Sequence, residues 1–143
     1  MRLFLLLLWA SASATVSPAW RDAIISVESS GNPAAVGRLS ERGLCQFFPA
    51  AWADTSRWRK AHGLPVYSYA LAHDPDAGLA YATSWLTLLE DRLTATLGRR
   101  PTIGELYAAH QLGFSGFRSK GFDLSRCPTI TKVVAARLAK ATR

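Results

Sequence analysis

The chain has 143 residues, of which 49% are hydrophobic, a length and composition that suit one domain able to bury a core without metals or many disulfides. Its formal net charge of +7 would attract polyanions. Its cations are scattered along the chain, which argues against a nucleic-acid-binding domain because such domains cluster their cations on one face.

The N-terminus has the pattern of a secretory signal. Arg2 supplies a positive charge, Leu3 to Trp9 form a short apolar run, and Ala12 to Ala14 offer a cleavage site of small residues. A membrane-spanning helix needs about 20 apolar residues, so the alternative of an N-terminal anchor is disfavoured. We predict a signal peptide over residues 1–14, a single domain over residues 15–143, and a periplasmic or secreted protein.

The remaining sequence predicts five helices and weak strand signals, and therefore an all-α domain. Their expected positions are Pro18 to Ser30 after an N-cap at Ser17, a short helix from Pro49 through Trp52, Pro75 to Leu97 between Asp74 and Gly98, Thr102 to about Gly113, and Thr129 to Ala141. Leucines at helical spacing from Leu79 onward mark the buried face of the long helix, and Val133, Val134 and Leu138 that of the last. Thr102 and Glu105 form a capping-box pattern.

One carboxylate lies on the apolar face of the first predicted helix. Trp20, Ile24, Val27 and Glu28 are spaced so that they share this face. Burial and the negative end of the helix dipole both favour the neutral form of a carboxyl group. Such a glutamic acid suits general-acid catalysis on a glycosidic oxygen, although the periodicity also allows a glutamate that simply reaches water.

Four motifs, in order, extend this pattern. They are Glu28 to Val36 with its Asn-Pro-x-Ala loop, Gly43 to Pro49 with Gly-Leu-x-Gln, Asp74-Pro75 opening a helix that carries Trp85-Leu86, and Leu106 to Gly113. Together they resemble the lytic transglycosylases of the goose-type lysozyme superfamily over roughly residues 20 to 120. The resemblance implies a lysozyme-like helical fold with a cleft for a glycan strand.

The resemblance also implies the chemistry of a peptidoglycan lytic transglycosylase. Glu28 would protonate the oxygen between N-acetylmuramic acid and N-acetylglucosamine, and would then accept the proton of the C6 hydroxyl as that oxygen closes onto C1. The product is a 1,6-anhydro end, formed without water. One carboxylate can serve both steps, outside the usual two-carboxylate scheme.

The resemblance assigns further substrate-binding candidates. Gln46 occupies the position of the family's glutamine, where it would contact the sugar or Glu28, or only stabilise its loop. His110 and Gln111 replace a usual Tyr-Asn pair and would contact the glycan or only form the cleft wall. Gly37 replaces a serine found in many relatives near the N-acetyl group, so Ser40 and Ser30 are candidate substitutes.

Cys45 and Cys127 leave two interpretations open. After export they could form a disulfide bond, or they could be buried as small apolar side chains. The three histidines show no metal-site spacing, so we expect neither a metal nor another cofactor.

Two alternatives to the transglycosylase remain open. A muramidase that delivers water would normally need a second carboxylate, for which Asp54, Asp74 and Asp76 are candidates. A murein-binding protein could keep the cleft and lack the chemistry. In each case the expected partner is peptidoglycan, with no nucleic acid and no membrane span. We expect a monomer, and its departures from the family pattern suggest a branch that serves a phage, secretion or conjugation assembly.

Overall fold

A computed structural model describes residues 14–143, so nearly all of the predicted signal peptide lies outside the described residues. The described chain forms six α-helices and no strand. They are α1 (Pro18–Ser29), α2 (Pro49–Ala61), α3 (Pro75–Leu97), α4 (Ile103–Leu112), α5 (Phe114–Ser119) and α6 (Thr129–Ala141). None of them combines the length and the apolar character that a membrane-spanning helix requires.

The helix ends confirm most of the predicted boundaries. The side chains of Ser17 and Asp74 cap α1 and α3 by accepting hydrogen bonds from backbone N–H groups. Thr102 and Glu105 form the predicted capping box at the start of α4. The helix α5 was not predicted, because it has only six residues, includes a glycine and shows too few turns for a periodic pattern.

The long helix α3 lies at the centre of the core. It packs against α1, α2 and α4, and α4 packs in turn against α6. Leu86, Leu89 and Leu93 of α3 are fully buried, as predicted. Leu79, however, is 38% exposed, because the first turns of α3 border a surface groove.

The predicted inward face of α6 is partly wrong. Val134 and Leu138 are buried, whereas Val133 is 50% exposed. At about 100° per residue, Val133 lies on the side of α6 opposite to the buried stripe that contains Val134 and Leu138. The buried face of α6 is completed by Thr131 and Ala135 instead.

The segment between α1 and α2 folds into a tight, bridged loop. Arg42 exchanges two backbone hydrogen bonds with Phe47, and the N–H of Gly43 donates to the carbonyl of Ala35. Gly43 has a left-handed φ of +76°, and the carbonyl oxygen of Ala72 occupies the space that a Cβ atom would need. A glycine is therefore required at this point of the Gly-Leu-x-Gln motif.

The two cysteines are free thiols in the structure. Both are buried, Cys45 completely. The disulfide alternative is therefore absent from the structure, and the cysteines act as small core side chains.

Candidate active site

A cleft of about 740 Å³ runs across one face of the protein. Its walls come from the end of α1, the α1–α2 loop, the start of α2, one face of α3 and the α4–α5 junction. The residues brought together there include four of the predicted ones, and these are Glu28, Gln46, His110 and Gln111. Residues from distant parts of the sequence thus meet in one cleft.

Glu28 lies in the last turn of α1 and points into this cleft with 16% of its side chain exposed. Burial, followed by the charge of Glu28 and a hydrogen bond with it, raises the pKa of Tyr107. Tyr107 therefore keeps its proton over the physiological range and is a hydrogen-bond donor to the carboxylate. The protonation state that we expect for Glu28 itself stays a prediction.

Cys45 lies beneath the same carboxylate. Burial raises the pKa of its thiol, and the negative charge of Glu28 adds to the shift. A neutral thiol packs like a small apolar side chain, and Cys45 is a fully buried member of the hydrophobic core.

His110 approaches Glu28 from α4. Its Nε2 lies 3.7 Å from Oε1 of Glu28, and only 8% of its side chain is exposed. On the other side of the ring, the indole N–H of Trp85 donates to Nδ1 of His110 at 3.0 Å. The ring is thus held between the core and the carboxyl group of Glu28, which is a different environment from an open cleft wall.

Gln46 lines the cleft, but its amide nitrogen is already engaged. Nε2 donates to the carbonyl of Gly43 at 2.9 Å and to that of Ala35 at 3.3 Å. Its backbone has a left-handed φ of +51°. These bonds favour the interpretation that Gln46 stabilises its loop, while its contact with a sugar stays a prediction.

Gln111 and Ser30 lie in different surroundings. Oε1 of Gln111 accepts a hydrogen bond from Thr131 at 2.5 Å, which ties the cleft edge to α6. Ser30 caps α1 in the left-handed conformation and borders a separate depression with Gly31 and Leu44. The structure therefore gives no geometric support to Ser30 as a substitute contact for the N-acetyl group.

The surroundings of Gly37 explain why the chain has a glycine at a position where many relatives have a serine. A Cβ atom at this position would overlap the side chain of Glu41. The carboxylate of Glu41 accepts a hydrogen bond from the N–H of Leu39 at 2.8 Å and lines the cleft. A polar group therefore remains at this end of the cleft, contributed by Glu41 instead of by a serine.

The candidates for a second carboxylate are separated by the structure. Asp54 lines the cleft and forms an ion pair with Arg57. Asp74 caps α3, and Asp76 borders a groove elsewhere. Besides Asp54, the carboxylate of Glu41 also lines the cleft. Glu41 was not among the candidates predicted from the sequence.

The sequence motifs contained further site residues whose roles were not predicted. Trp85 and Tyr107 both belong to those motifs. Only the folded chain shows that Trp85 contacts His110 and that Tyr107 contacts Glu28. The hydroxyl of Ser29 donates to the carbonyl of Leu44 at 2.8 Å, which fastens the end of α1 to the bridged loop. The feature of the sequence that could have indicated a role for Ser29 was its position directly after Glu28.

The described residues contain no group of three or more histidine, cysteine, aspartate or glutamate side chains that could hold a metal ion. In a comparison with known families, the family model of the Transglycosylase SLT domain matches residues 8–118. The match begins inside the predicted signal segment, so the domain boundary at residue 14 stays a prediction. No curated protein and no solved structure matches the chain.

Proposed function

Because the chain belongs to the Transglycosylase SLT domain family, we propose that it is a peptidoglycan lytic transglycosylase that uses Glu28 as its catalytic residue. The single observation that carries the proposal is the position of Glu28. Its carboxyl group opens into the cleft between the hydroxyl of Tyr107 and the ring of His110. The substrate class is the glycan strand of murein.

The reaction begins with Glu28 as an acid. Its proton passes to the oxygen between N-acetylmuramic acid and N-acetylglucosamine, and the C1–O bond breaks with the electron pair going to the leaving oxygen. The N-acetyl group of the muramic residue stabilises the positive charge that develops at C1. Only 16% of the Glu28 side chain is exposed, so the proton is delivered from a group that is largely shielded from water.

The second step uses the same residue as a base. The carboxylate of Glu28 accepts the proton of the C6 hydroxyl while the C6 oxygen forms a bond to C1. The hydroxyl of Tyr107 stabilises the carboxylate between the two steps, since a hydrogen bond to a charged acceptor is stronger than one to a neutral acceptor. No water enters the products, which are a 1,6-anhydromuramic end and a free 4-hydroxyl.

A hydrolytic muramidase is the second candidate, because two other carboxylates line the same cleft. Asp54 and Glu41 could activate water if either faced the sugar opposite Glu28. Both are already engaged, Asp54 with Arg57 and Glu41 with a backbone N–H. These partners favour the transglycosylase, in which no second carboxylate takes part.

The experiment is a digestion of purified murein sacculi by the wild type and by three variants. Glu28→Gln removes the acid with little change of shape, and Asp54→Asn and Glu41→Gln are matched controls in the same cleft. We expect Glu28→Gln to lose at least about 100-fold in rate, as is typical for general acid–base groups. The controls should stay within about tenfold of the wild type.

Three outcomes would contradict the proposal. Equal rates for the wild type and Glu28→Gln would remove Glu28 from the mechanism. Loss of activity in Asp54→Asn or Glu41→Gln, with products that carry reducing ends, would favour the muramidase. Tight binding of sacculi without any product would favour a murein-binding protein, the remaining alternative.

We further propose that the protein acts as a monomer in the periplasm or outside the cell, where its substrate lies. The support is the signal pattern of residues 1–14 and the basic composition, which suits a polymer that carries free stem-peptide carboxylates. A role within a secretion, conjugation or phage assembly stays a proposal. Fractionation of cells that produce the full chain tests the location, and a purely cytoplasmic protein would contradict it.

A further inference from the structure

The hydrogen bond between Trp85 and His110 has a chemical direction. An indole N–H can only donate, so Nδ1 of His110 must be the unprotonated, accepting nitrogen. In the neutral ring the proton then resides on Nε2. This nitrogen is the one that faces Oε1 of Glu28 at 3.7 Å.

The same bond disfavours the charged ring. An imidazolium carries a proton on both nitrogens, so a protonated Nδ1 would face the indole N–H donor to donor. Trp85 is 6% exposed and His110 is largely buried, so water cannot easily replace the lost partner. The geometry therefore fits the neutral ring.

The structure assigns His110 as a positioning residue: Trp85 holds it as the neutral Nε2–H tautomer, and this N–H orients the carboxylate of Glu28. Toward Glu28 the ring then presents only a donor, as a hydroxyl group at the same place would toward a carboxylate. This accounts for how the chain tolerates histidine where the family usually has tyrosine. The separation of 3.7 Å would shorten when Glu28 becomes charged, since catalytic hydrogen bonds often tighten along the reaction.

The neighbouring charges set the conditions for this role. Tyr107 and the Cys45 thiol lie beside Glu28 and are neutral over the physiological range, because burial and the charge of Glu28 raise the pKa of each. The other charged groups of the cleft are Glu41, Asp54 and Arg92. Glu28 is therefore the ionisable group that His110 directly faces.

The tautomer is tested by nitrogen-15 NMR of full-length protein labelled in histidine, with assignment by single substitutions. His62 and His73 are internal controls, because Nδ1 of each lies next to a backbone carbonyl, of Trp58 and of Pro33. A carbonyl requires the opposite tautomer, with the proton on Nδ1. We expect His110 to show an unprotonated Nδ1 and a protonated Nε2 at neutral pH, while His73 favours the reverse.

Trp85→Phe removes the donor and keeps an aromatic ring. We expect His110 to lose its strict preference for the Nε2–H tautomer in this variant, because the hydrogen bond that requires an unprotonated Nδ1 is lost. A proton on Nδ1 in the wild type, or an unchanged tautomer preference in a folded Trp85→Phe protein, would overturn the assignment of the tautomer. Should Trp85→Phe fail to fold, the wild-type spectrum still decides between the tautomers.

The positioning role rests on the proposed function, whereas the tautomer does not. We expect His110→Phe to lower kcat on soluble murein fragments by about 10- to 100-fold with little change in KM, as for loss of a hydrogen bond to a charged group. His110→Tyr and His110→Gln, which keep a donor, should restore most of the rate. A rise in KM with unchanged kcat would make His110 a substrate contact and overturn the positioning role.

The two failures are distinguishable. If the wild type cleaves no murein, the proposed function fails while the NMR result on the tautomer stands. If the wild type is active and His110→Phe matches it in kcat, the positioning role fails while the proposed function stands.

Discussion

Replacement of Gly43 by alanine probes the loop that forms one wall of the cleft. Gly43 has a φ of +76°, and the carbonyl oxygen of Ala72 occupies the place of the missing Cβ atom. Gly98, which ends α3, is a matched control because its φ is +69° and nothing lies within 4 Å of a Cβ atom there. The two positions share the backbone strain and differ in the steric contact.

The expected magnitudes follow from these two terms. A non-glycine residue in the left-handed conformation costs about 1–2 kcal/mol, so Gly98→Ala should lower the free energy of unfolding by about 1 kcal/mol. Gly43→Ala adds a collision with backbone, which cannot swing away like a side chain, at a cost of about 1–3 kcal/mol. We expect a total of about 3 kcal/mol, or a fall in Tm of roughly 10 °C.

Urea denaturation followed by tryptophan fluorescence measures both free energies in the same buffer. Equal destabilisation by Gly43→Ala and Gly98→Ala would refute the steric reasoning, since it would leave only the backbone term. Gly43→Ala should also lower activity below its melting temperature, because the loop that holds Gln46 must shift. Full activity in a strongly destabilised Gly43→Ala variant would show that the position of the loop does not affect catalysis.

Three further predictions concern other contacts. The Arg99 guanidinium holds the pKa of Glu105 below its usual range, so Glu105 stabilises the fold above pH about 4.5 and loses this contribution as pH falls through the lowered folded-state pKa. Glu105→Gln should therefore lower the free energy of unfolding by about 1 kcal/mol at pH 7, a modest value because Arg99 is half exposed. The stabilities of the variant and the wild type should become equal as the pH falls, which acid unfolding curves would show. Gly37→Ser should have a lower free energy of unfolding than the double variant Gly37→Ser with Glu41→Ala, because the serine Cβ overlaps the glutamate side chain. Equal free energies of unfolding for the two variants would contradict this. Both cysteines should resist a thiol reagent in the native protein and react after unfolding, because burial raises the pKa of each; oxidised protein with no free thiol would contradict the structure.

The sequence was informative wherever a local rule applies. Capping residues such as Ser17 and Asp74 fixed the helix starts, because their side chains bond to backbone groups only a few residues away. The family motifs also located Glu28 and the glutamine loop. The short helix α5 and the exposure of Val133 were beyond local rules, since the first lacks periodicity and the second depends on how α6 is rotated against α4.

The role of His110 shows what only the folded chain can provide. The sequence placed it in a motif, but its two ring nitrogens are distinguished by Trp85 on one side and Glu28 on the other. These residues are far apart in the chain and meet because α1, α3 and α4 pack together. The engagement of Gln46 with its own loop likewise depends on the bridged turn and could not be chosen from the motif alone.

Digestion of sacculi in water enriched in heavy oxygen tests the central claim most directly. If Glu28 takes the proton of the C6 hydroxyl, every new muramic end is an anhydro sugar without label and resists borohydride reduction. Label at C1 of reducible ends, formed by the wild type and lost in Glu28→Gln, would show that water is the nucleophile and would contradict the transglycosylase mechanism.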